Sequence, residues 1–204
     1  VRNLPWSVHT TEVRTNEIAI SYQNDNNWIR VKLLQHSKNS INEQIETFDA
    51  NVIPVSVSQA VSKMRVVPLT STTFALVYKL QNTTDIEIIL YDDQNLQIKT
   101  KTLSNVLTNT FHGFDVTPTS NGMTLAYIGT DRRVVIQELT AELYNKAPAR
   151  FIDTDNIDVA SYVGIATNST DVGVVWTKST ADAHGGDLYV ATSEYQSNVV
   201  GTRI

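Results

Sequence analysis

The segment Phe74-Ala75-Leu76-Val77-Tyr78 is a short apolar run that ends in an aromatic residue, and three other parts of the chain repeat its pattern. The other copies are Ile18-Ala19-Ile20-Ser21-Tyr22, Met123-Thr124-Leu125-Ala126-Tyr127 and Val172-Gly173-Val174-Val175-Trp176. Each has a small or β-branched second residue, and the aromatics recur about every 50 residues, a period typical of repeat architectures. Such units cannot bury their apolar faces alone, so we expect the copies to stack on one another.

Each copy lies second in a predicted set of four strands. A shorter apolar stretch precedes it, and a polar turn followed by another apolar strand and a more polar outer strand comes after it. In the third repeat, Asn121-Gly122 predicts a tight type I′ turn. Helical periodicity is nearly absent, and only 58–64 and 140–146 are candidates for a turn or two of helix. The sequence therefore predicts an all-β protein.

Four units of four short strands resemble the β-propeller superfamily, in which four-stranded blades pack face to face. We predict a single β-repeat domain over residues 1–204, with approximate blades at 1–50, 51–105, 106–154 and 155–204. The four blades form either a closed ring or part of a larger propeller. The alternative fold is an irregular β-sandwich in which similar hairpins recur by coincidence.

The repeated aromatics Tyr22, Tyr78, Tyr127 and Trp176 form the predicted repeat core. We expect them to be buried between adjacent blades, because the second strand of a blade is covered on both faces. The small second residue of each copy is expected where neighbouring sheets approach closely.

Composition excludes several classes of function. Of the 204 residues, 41% are hydrophobic, and the formal net charge of -5 argues against nucleic acid as a partner. No apolar run has the length of a membrane-spanning helix. The chain has no cysteine, which excludes disulfides, thiolate metal sites and a cysteine nucleophile. Two sequons, at Asn82 and Asn168, are candidate glycosylation sites and favour an extracellular or secreted glycoprotein.

Metal and catalytic motifs are sparse in the sequence. No G-x-S-x-G occurs, and the four histidines lack zinc-binding spacing. The segment that contains Asp153, Asp155 and Asp158 has alternating oxygen ligands that suit calcium, although its spacing departs from the EF-hand loop. The alternative interpretation is a linker whose Asp and Asn side chains cap turns. No other cofactor is predicted.

Aromatic side chains can stack on sugars when they are exposed, and Trp6, Trp28 and Tyr195 are the candidates. The first repeat also resembles a blade of the fungal fucose-binding lectins, from Ile18 through Val31. Their sites imply a repeated Arg, Glu and aromatic set, whereas the positions equivalent to Arg30 are Glu87, Val135 and Leu188. The resemblance is therefore confined to one blade.

The pattern favours a noncatalytic propeller that binds a protein or a glycan through its loops or rim, or that serves as a structural scaffold in an oligomer or larger assembly. One alternative is a carbohydrate-binding lectin, which would respond to free glycans. Another is a fragment or subunit of a larger propeller enzyme, which would leave apolar sheet faces uncovered.

Overall fold

The computed structural model describes residues 8–23, 28–38, 45–108, 113–152, 159–168, 171–179, 187–194 and 202–203. Within these ranges the chain forms β-strands and no helix. No helix that could cross a membrane is therefore found in this part of the chain.

The strands form four antiparallel sheets, each made of four consecutive strands in chain order. Blade 1 contains β1 (Val8–Arg14), β2 (Glu17–Gln23), β3 (Trp28–Lys38) and β4 (Ile45–Ser56). Blade 2 contains β5 (Val61–Pro68), β6 (Phe74–Leu80), β7 (Ile86–Tyr91) and β8 (Gln97–Leu103). Blade 3 contains β9 (Phe114–Thr119), β10 (Gly122–Ile128), β11 (Val134–Thr140) and β12 (Arg150–Phe151). Blade 4 contains β13 (Val159–Thr167), β14 (Asp171–Ser179), β15 (Asp187–Glu194) and β16 (Thr202–Arg203).

Consecutive blades pack face to face through apolar clusters. One cluster joins blades 1 and 2, a second joins blades 2 and 3, and a third joins blades 3 and 4. The first strands also contact one another in order, β1 with β5, β5 with β9, and β9 with β13. These four strands are the inner strands of a propeller. The all-β propeller prediction is confirmed, and the β-sandwich alternative is wrong.

The blades form an open arc in the described part of the chain. No apolar cluster among these residues joins blade 4 to blade 1. In this part of the chain the four sheets do not close into a ring, which is consistent with part of a propeller.

The second strands of the two end blades are less buried than those of the two interior blades. In blades 2 and 3, β6 and β10 are buried on both faces, apart from the terminal Leu80. In blade 1 only one face of β2 is buried, and in blade 4 the same holds for β14. The interior second strands thus have a neighbouring blade on each side, and the two terminal ones have a neighbour on one side.

Two local predictions, both of short helical segments, were wrong. Residues 58–64 are not helical, because β-branched Val61 begins β5 and pairs with Leu80. Residues 140–146 form a turn, in which Thr140 Oγ1 accepts hydrogen bonds from two backbone N–H groups. The first blade also continues past residue 50, since β4 remains paired with β3 as far as Ser56.

The hairpin of blade 3 also differs from the predicted I′ turn. Its loop residues are Ser120 and Asn121, neither of which has a positive φ, and Gly122 pairs with Thr119. Gly122 has φ 143°, and a Cβ there would collide with the carbonyl oxygen of Leu139 and lie 2.7 Å from the carbonyl carbon of Thr140. The glycine is required by the close approach of β11.

We expect Gly122→Ala to lower the free energy of unfolding by roughly 2 kcal/mol or more, because both the φ and the β11 backbone oppose a side chain. Urea denaturation would measure the loss. Gly173→Ala is the matched control, since its Cβ would meet only Ala166 O at 3.9 Å. Equal losses in the two variants would contradict the explanation.

Candidate functional site

Of the sequence-predicted ligand residues, Trp28 lies within the described part of the chain. Trp6 and Tyr195 lie outside the described residues, as do Asp153, Asp155 and Asp158, so their stacking and calcium roles stay predictions. Trp28 begins β3, and the Arg30 guanidinium lies 5.6 Å from the centre of its ring. Among the residues that the structure describes, no cluster of three or more acidic or histidine side chains could hold a metal.

Both sequons lie in turns. Asn82 is exposed between β6 and β7 and has φ 61°. Asn168 lies between β13 and β14, where its Nδ2 donates to Asp171 Oδ2 and its Oδ1 accepts from Asp171 N. Glycosylation of either residue stays a prediction, and Asn82 has the freer side chain.

The repeat aromatics lie on the face that each blade turns towards the preceding one. Tyr78, Tyr127 and Trp176 are 8%, 7% and 0% exposed, and Trp176 stacks on Tyr189 at 5.7 Å. Tyr22 is only half-buried. The difference has a simple cause, because no described blade precedes blade 1.

A polar network crosses the inner strands. Asp115 on β9 accepts from Arg65 Nε at 3.0 Å and forms an ion pair with Lys63 Nζ at 3.3 Å, both on β5. Its other oxygen accepts from the backbone N–H of Ile165 on β13 at 3.4 Å. Asp115 therefore links blades 2, 3 and 4 in a largely buried setting.

His9 makes the corresponding link from blade 1. Its Nδ1 accepts a hydrogen bond from the backbone N–H of Val66 on β5 at 3.1 Å. By strand register, His9 and Asp115 occupy the same repeat position, since His9 pairs with Ser21 and Asp115 with Ala126. Both satisfy the N–H of an inner edge strand in the following blade, a group that would otherwise be free to pair with another chain.

The same repeat position holds Arg65 in blade 2 and Gly164 in blade 4, which pair with Val77 and Val175. Arg65 reaches Asp115 of the next blade. We name His9, Arg65, Asp115 and Gly164 the inner-strand series. Its first three members reach the following blade, whereas the glycine in blade 4 has no side chain with which to do so.

The network perturbs two titrating groups. Burial, followed by the nearby Arg65 charge, lowers the pKa of His9 to about 4. Burial is also the main reason why the pKa of Lys63 falls to about 8, although Asp115 opposes the shift. Neutral His9 is the form that can accept the Val66 hydrogen bond.

We expect Asp115→Asn to lower the free energy of unfolding by about 2 to 3 kcal/mol, because the change leaves Lys63 buried without its carboxylate. Chemical denaturation would measure the change. Asp131→Asn is the control, since the side chains of the Asp131–Arg133 pair are 39% and 30% exposed; it should cost no more than about 1 kcal/mol. Similar losses would contradict a special role for Asp115.

His9 gives a pH prediction. Between its ordinary pKa of 6.5 and the folded value of about 4, the unfolded chain binds a proton that the folded chain does not. The stabilising contribution is therefore complete above pH 6.5 and is lost as the pH falls towards 4. Compared with His9→Asn, which keeps an acceptor but does not titrate, the wild type should lose more free energy of unfolding over this window. Urea denaturation at a series of pH values would measure the free energy of unfolding of both proteins. The same pH dependence in the wild type and in His9→Asn would contradict the prediction.

A cavity of about 240 Å³ lies where blade 2 leads into blade 3. We name it the blade 3 pocket. Its lining combines the buried Tyr127 and Val135, the half-exposed Phe151, the turn residues Thr130 and Asp131, and Asn105. Tyr127, Val135 and Phe151 form one row across β10, β11 and β12.

Backbone hydrogen bonds fix the rim of the pocket. Thr130 N donates to Asn105 O, and Gly129 N donates to Arg133 O, each at 2.9 Å. Asp131 Oδ2 accepts from both Nε and Nη2 of Arg133, at 2.9 and 2.7 Å. The Arg133 guanidinium also lies 3.6 Å from the centre of the Phe151 ring. The pocket is thus braced by the protein itself.

Sequence reasoning missed both sites. Each of the first three members is a charged or imidazole side chain in a first strand, but those strands contain other polar residues as well. Only the strand register shows that these positions correspond. The blade 3 pocket had a weaker signal. It depends on the approach of Asn105 to the β10–β11 turn, which no local motif encodes.

Comparisons with known proteins define no family for this chain. No family description matches it, and no curated protein matches it. Two solved structures with similarity are Kluyveromyces lactis Hsv2 and Kluyveromyces lactis Hsv2 complete loop 6CD. Their TM-scores are 0.47 and 0.46, with 15% and 14% identity, over 96% of this chain. The chain spans 60% of the length of each Hsv2 chain.

Proposed function

We propose that this protein is a noncatalytic binding and scaffold module that assembles through the two end faces of its arc, each of which packs against a further four-stranded blade. The observation that carries the proposal is that the end faces expose positions which the other blades bury. On each end face these positions are three alternate residues of the second strand.

The free face of blade 1 presents Ile18, Ile20 and Tyr22, all half-buried. The corresponding positions in the other blades are fully or almost fully buried: Phe74, Leu76 and Tyr78 in blade 2, Met123, Leu125 and Tyr127 in blade 3, and Val172, Val174 and Trp176 in blade 4. This face therefore has the composition of a blade interface without a described partner.

The end face of blade 4 carries Gly173, Val175 and Thr177, and Val175 is 37% exposed. Eight of the nine corresponding residues in the other blades are buried, and the ninth, Gln23, is partly buried. The eight are Ala19, Ser21, Ala75, Val77, Lys79, Thr124, Ala126 and Ile128. Leu188 lies on the same face and is 44% exposed. Contiguous apolar surface of this kind marks an interaction site.

The interfaces inside the arc indicate the chemistry of the partner. In each, the aromatic-bearing face of one blade meets the small-residue face of the preceding blade, as where Tyr78 lies in the cluster with Ala19. Blade 1 should accordingly accept a small-residue face, and blade 4 an aromatic-bearing one. A second copy of the chain offers both faces.

We expect the isolated chain to self-associate, and Ile20→Lys or Val175→Lys to reduce the association without unfolding the protein, because a charge there opposes burial in an interface. Sedimentation velocity over a concentration series would measure it. Leu96→Lys is the matched control, since Leu96 is 63% exposed but lies beside β8, away from both end faces.

Two results would contradict the assembly function. One is a wild-type chain that stays monomeric throughout the series and does not bind a hydrophobic dye. The other is an equal effect of Leu96→Lys and Val175→Lys, because association would then depend on general surface hydrophobicity.

We also propose an extracellular location. The support is the exposed sequon at Asn82 together with a chain that has no cysteine to be oxidised. Glycan attachment in the turn between β6 and β7 would leave both end faces accessible.

Carbohydrate binding is the second candidate function. The aromatic residues first considered for it give it no support, because Trp28 lies under Arg30 and the other two lie outside the described residues. The observation that favours carbohydrate binding is the blade 3 pocket, whose polar groups surround a small cavity with an apolar wall.

A further inference from the structure

We propose that the blade 3 pocket binds one neutral sugar ring, held by the Tyr127 hydroxyl and the side chains of Asn105 and Thr130 against an apolar wall that includes Val135 and Phe151. The proposal rests on the second candidate function and is independent of the end faces. It gives that function a location in blade 3 instead of at the aromatic residues of the chain ends.

The size of the cavity limits the ligand. The volume of the cavity is about 240 Å³. Drug-sized ligands occupy pockets of about 300 to 1,000 Å³. The blade 3 pocket is therefore suited to a single six-membered ring and leaves the rest of an oligosaccharide in solvent.

The hydrogen-bonding groups around the cavity are available to a ligand. Within the described part of the chain, the Tyr127 hydroxyl, the Asn105 side-chain amide and the hydroxyls of Ser104 and Thr130 make no side-chain hydrogen bond to the protein. Tyr127 is 7% exposed, and burial, with a smaller contribution from Asp131, raises its pKa above the ordinary value. The hydroxyl thus stays protonated and can both donate and accept.

The charges of the pocket cancel. Asp131 is the acidic group in the lining, and its two bonds from Arg133 neutralise it within the protein. A charged ligand would therefore gain little attraction and would lose hydration. A neutral ligand with several hydroxyls matches the lining better.

The wall of the cavity supplies the remaining contact. Tyr127, Val135 and Phe151 lie side by side across three strands, and Ala149 extends the same surface. The C–H face of a sugar ring can pack on such a wall while its hydroxyls point to the polar rim. Arg133 over the Phe151 ring holds that ring in place.

The experiment is an NMR titration of the full chain with the methyl glycosides of glucose, galactose, mannose and fucose, with inorganic phosphate as the charged probe. We expect saturable shifts from at least one glycoside, centred on the lining of the pocket. Tyr127→Phe should weaken that binding about 3- to 10-fold, the effect of one lost hydrogen bond. Tyr78→Phe is the matched control, because Tyr78 holds the equivalent position in blade 2 and should leave the affinity unchanged.

Each other outcome overturns part of the inference. If glycosides bind but Tyr127→Phe and Tyr78→Phe behave alike, the assignment of the site is wrong and carbohydrate binding stands. If no glycoside gives saturable shifts, both the site and the second candidate function are wrong. If phosphate saturates the pocket and the glycosides do not, the neutral ligand class is wrong.

Discussion

The structure depends on the requirement that the second strand of each blade be covered on both faces. These strands are apolar almost throughout, so a blade alone would expose a large hydrophobic surface to water. Stacking satisfies the requirement for blades 2 and 3, where β6 and β10 are buried. Among the described residues, one face of β2 in blade 1 and one face of β14 in blade 4 are only partly buried. The proposed scaffold function is based on this difference between the end blades and the interior blades.

A second, polar constraint acts along the inner strands. An inner strand is the edge of its sheet, and its outward N–H groups need acceptors. His9 and Asp115 supply them to Val66 and Ile165 of the following blades. The apolar clusters hold the blades together, while these bonds fix how far each blade is displaced along its neighbour. A buried polar contact adds this geometric specificity because a misplaced blade would leave the N–H unsatisfied.

The sequence predicted the architecture well because its signal is repeated four times. Tyr22, Tyr78, Tyr127 and Trp176 do mark equivalent strands, although Tyr22 is less buried because none of the described blades covers its side. The turn at Asn121-Gly122 was misjudged because the approach of β11, and not the turn type, demands the glycine. The blade 3 pocket could not be predicted, since it forms between residues from different blades whose proximity is a property of the stacking.

Gly164 gives the arc a direction. Contacts of the inner-strand series run from each blade to the one that follows, and they stop at blade 4 because glycine has nothing to extend. Thr10, which pairs with Ile20, occupies the place in blade 1 that Val66 and Ile165 hold in theirs. A blade packed on the Thr10 side could therefore supply a hydrogen-bond acceptor to the Thr10 N–H. A blade packed on the Gly164 side would receive no acceptor from Gly164, so the N–H of its own first strand would need another one. The two ends of the described arc are therefore chemically distinct.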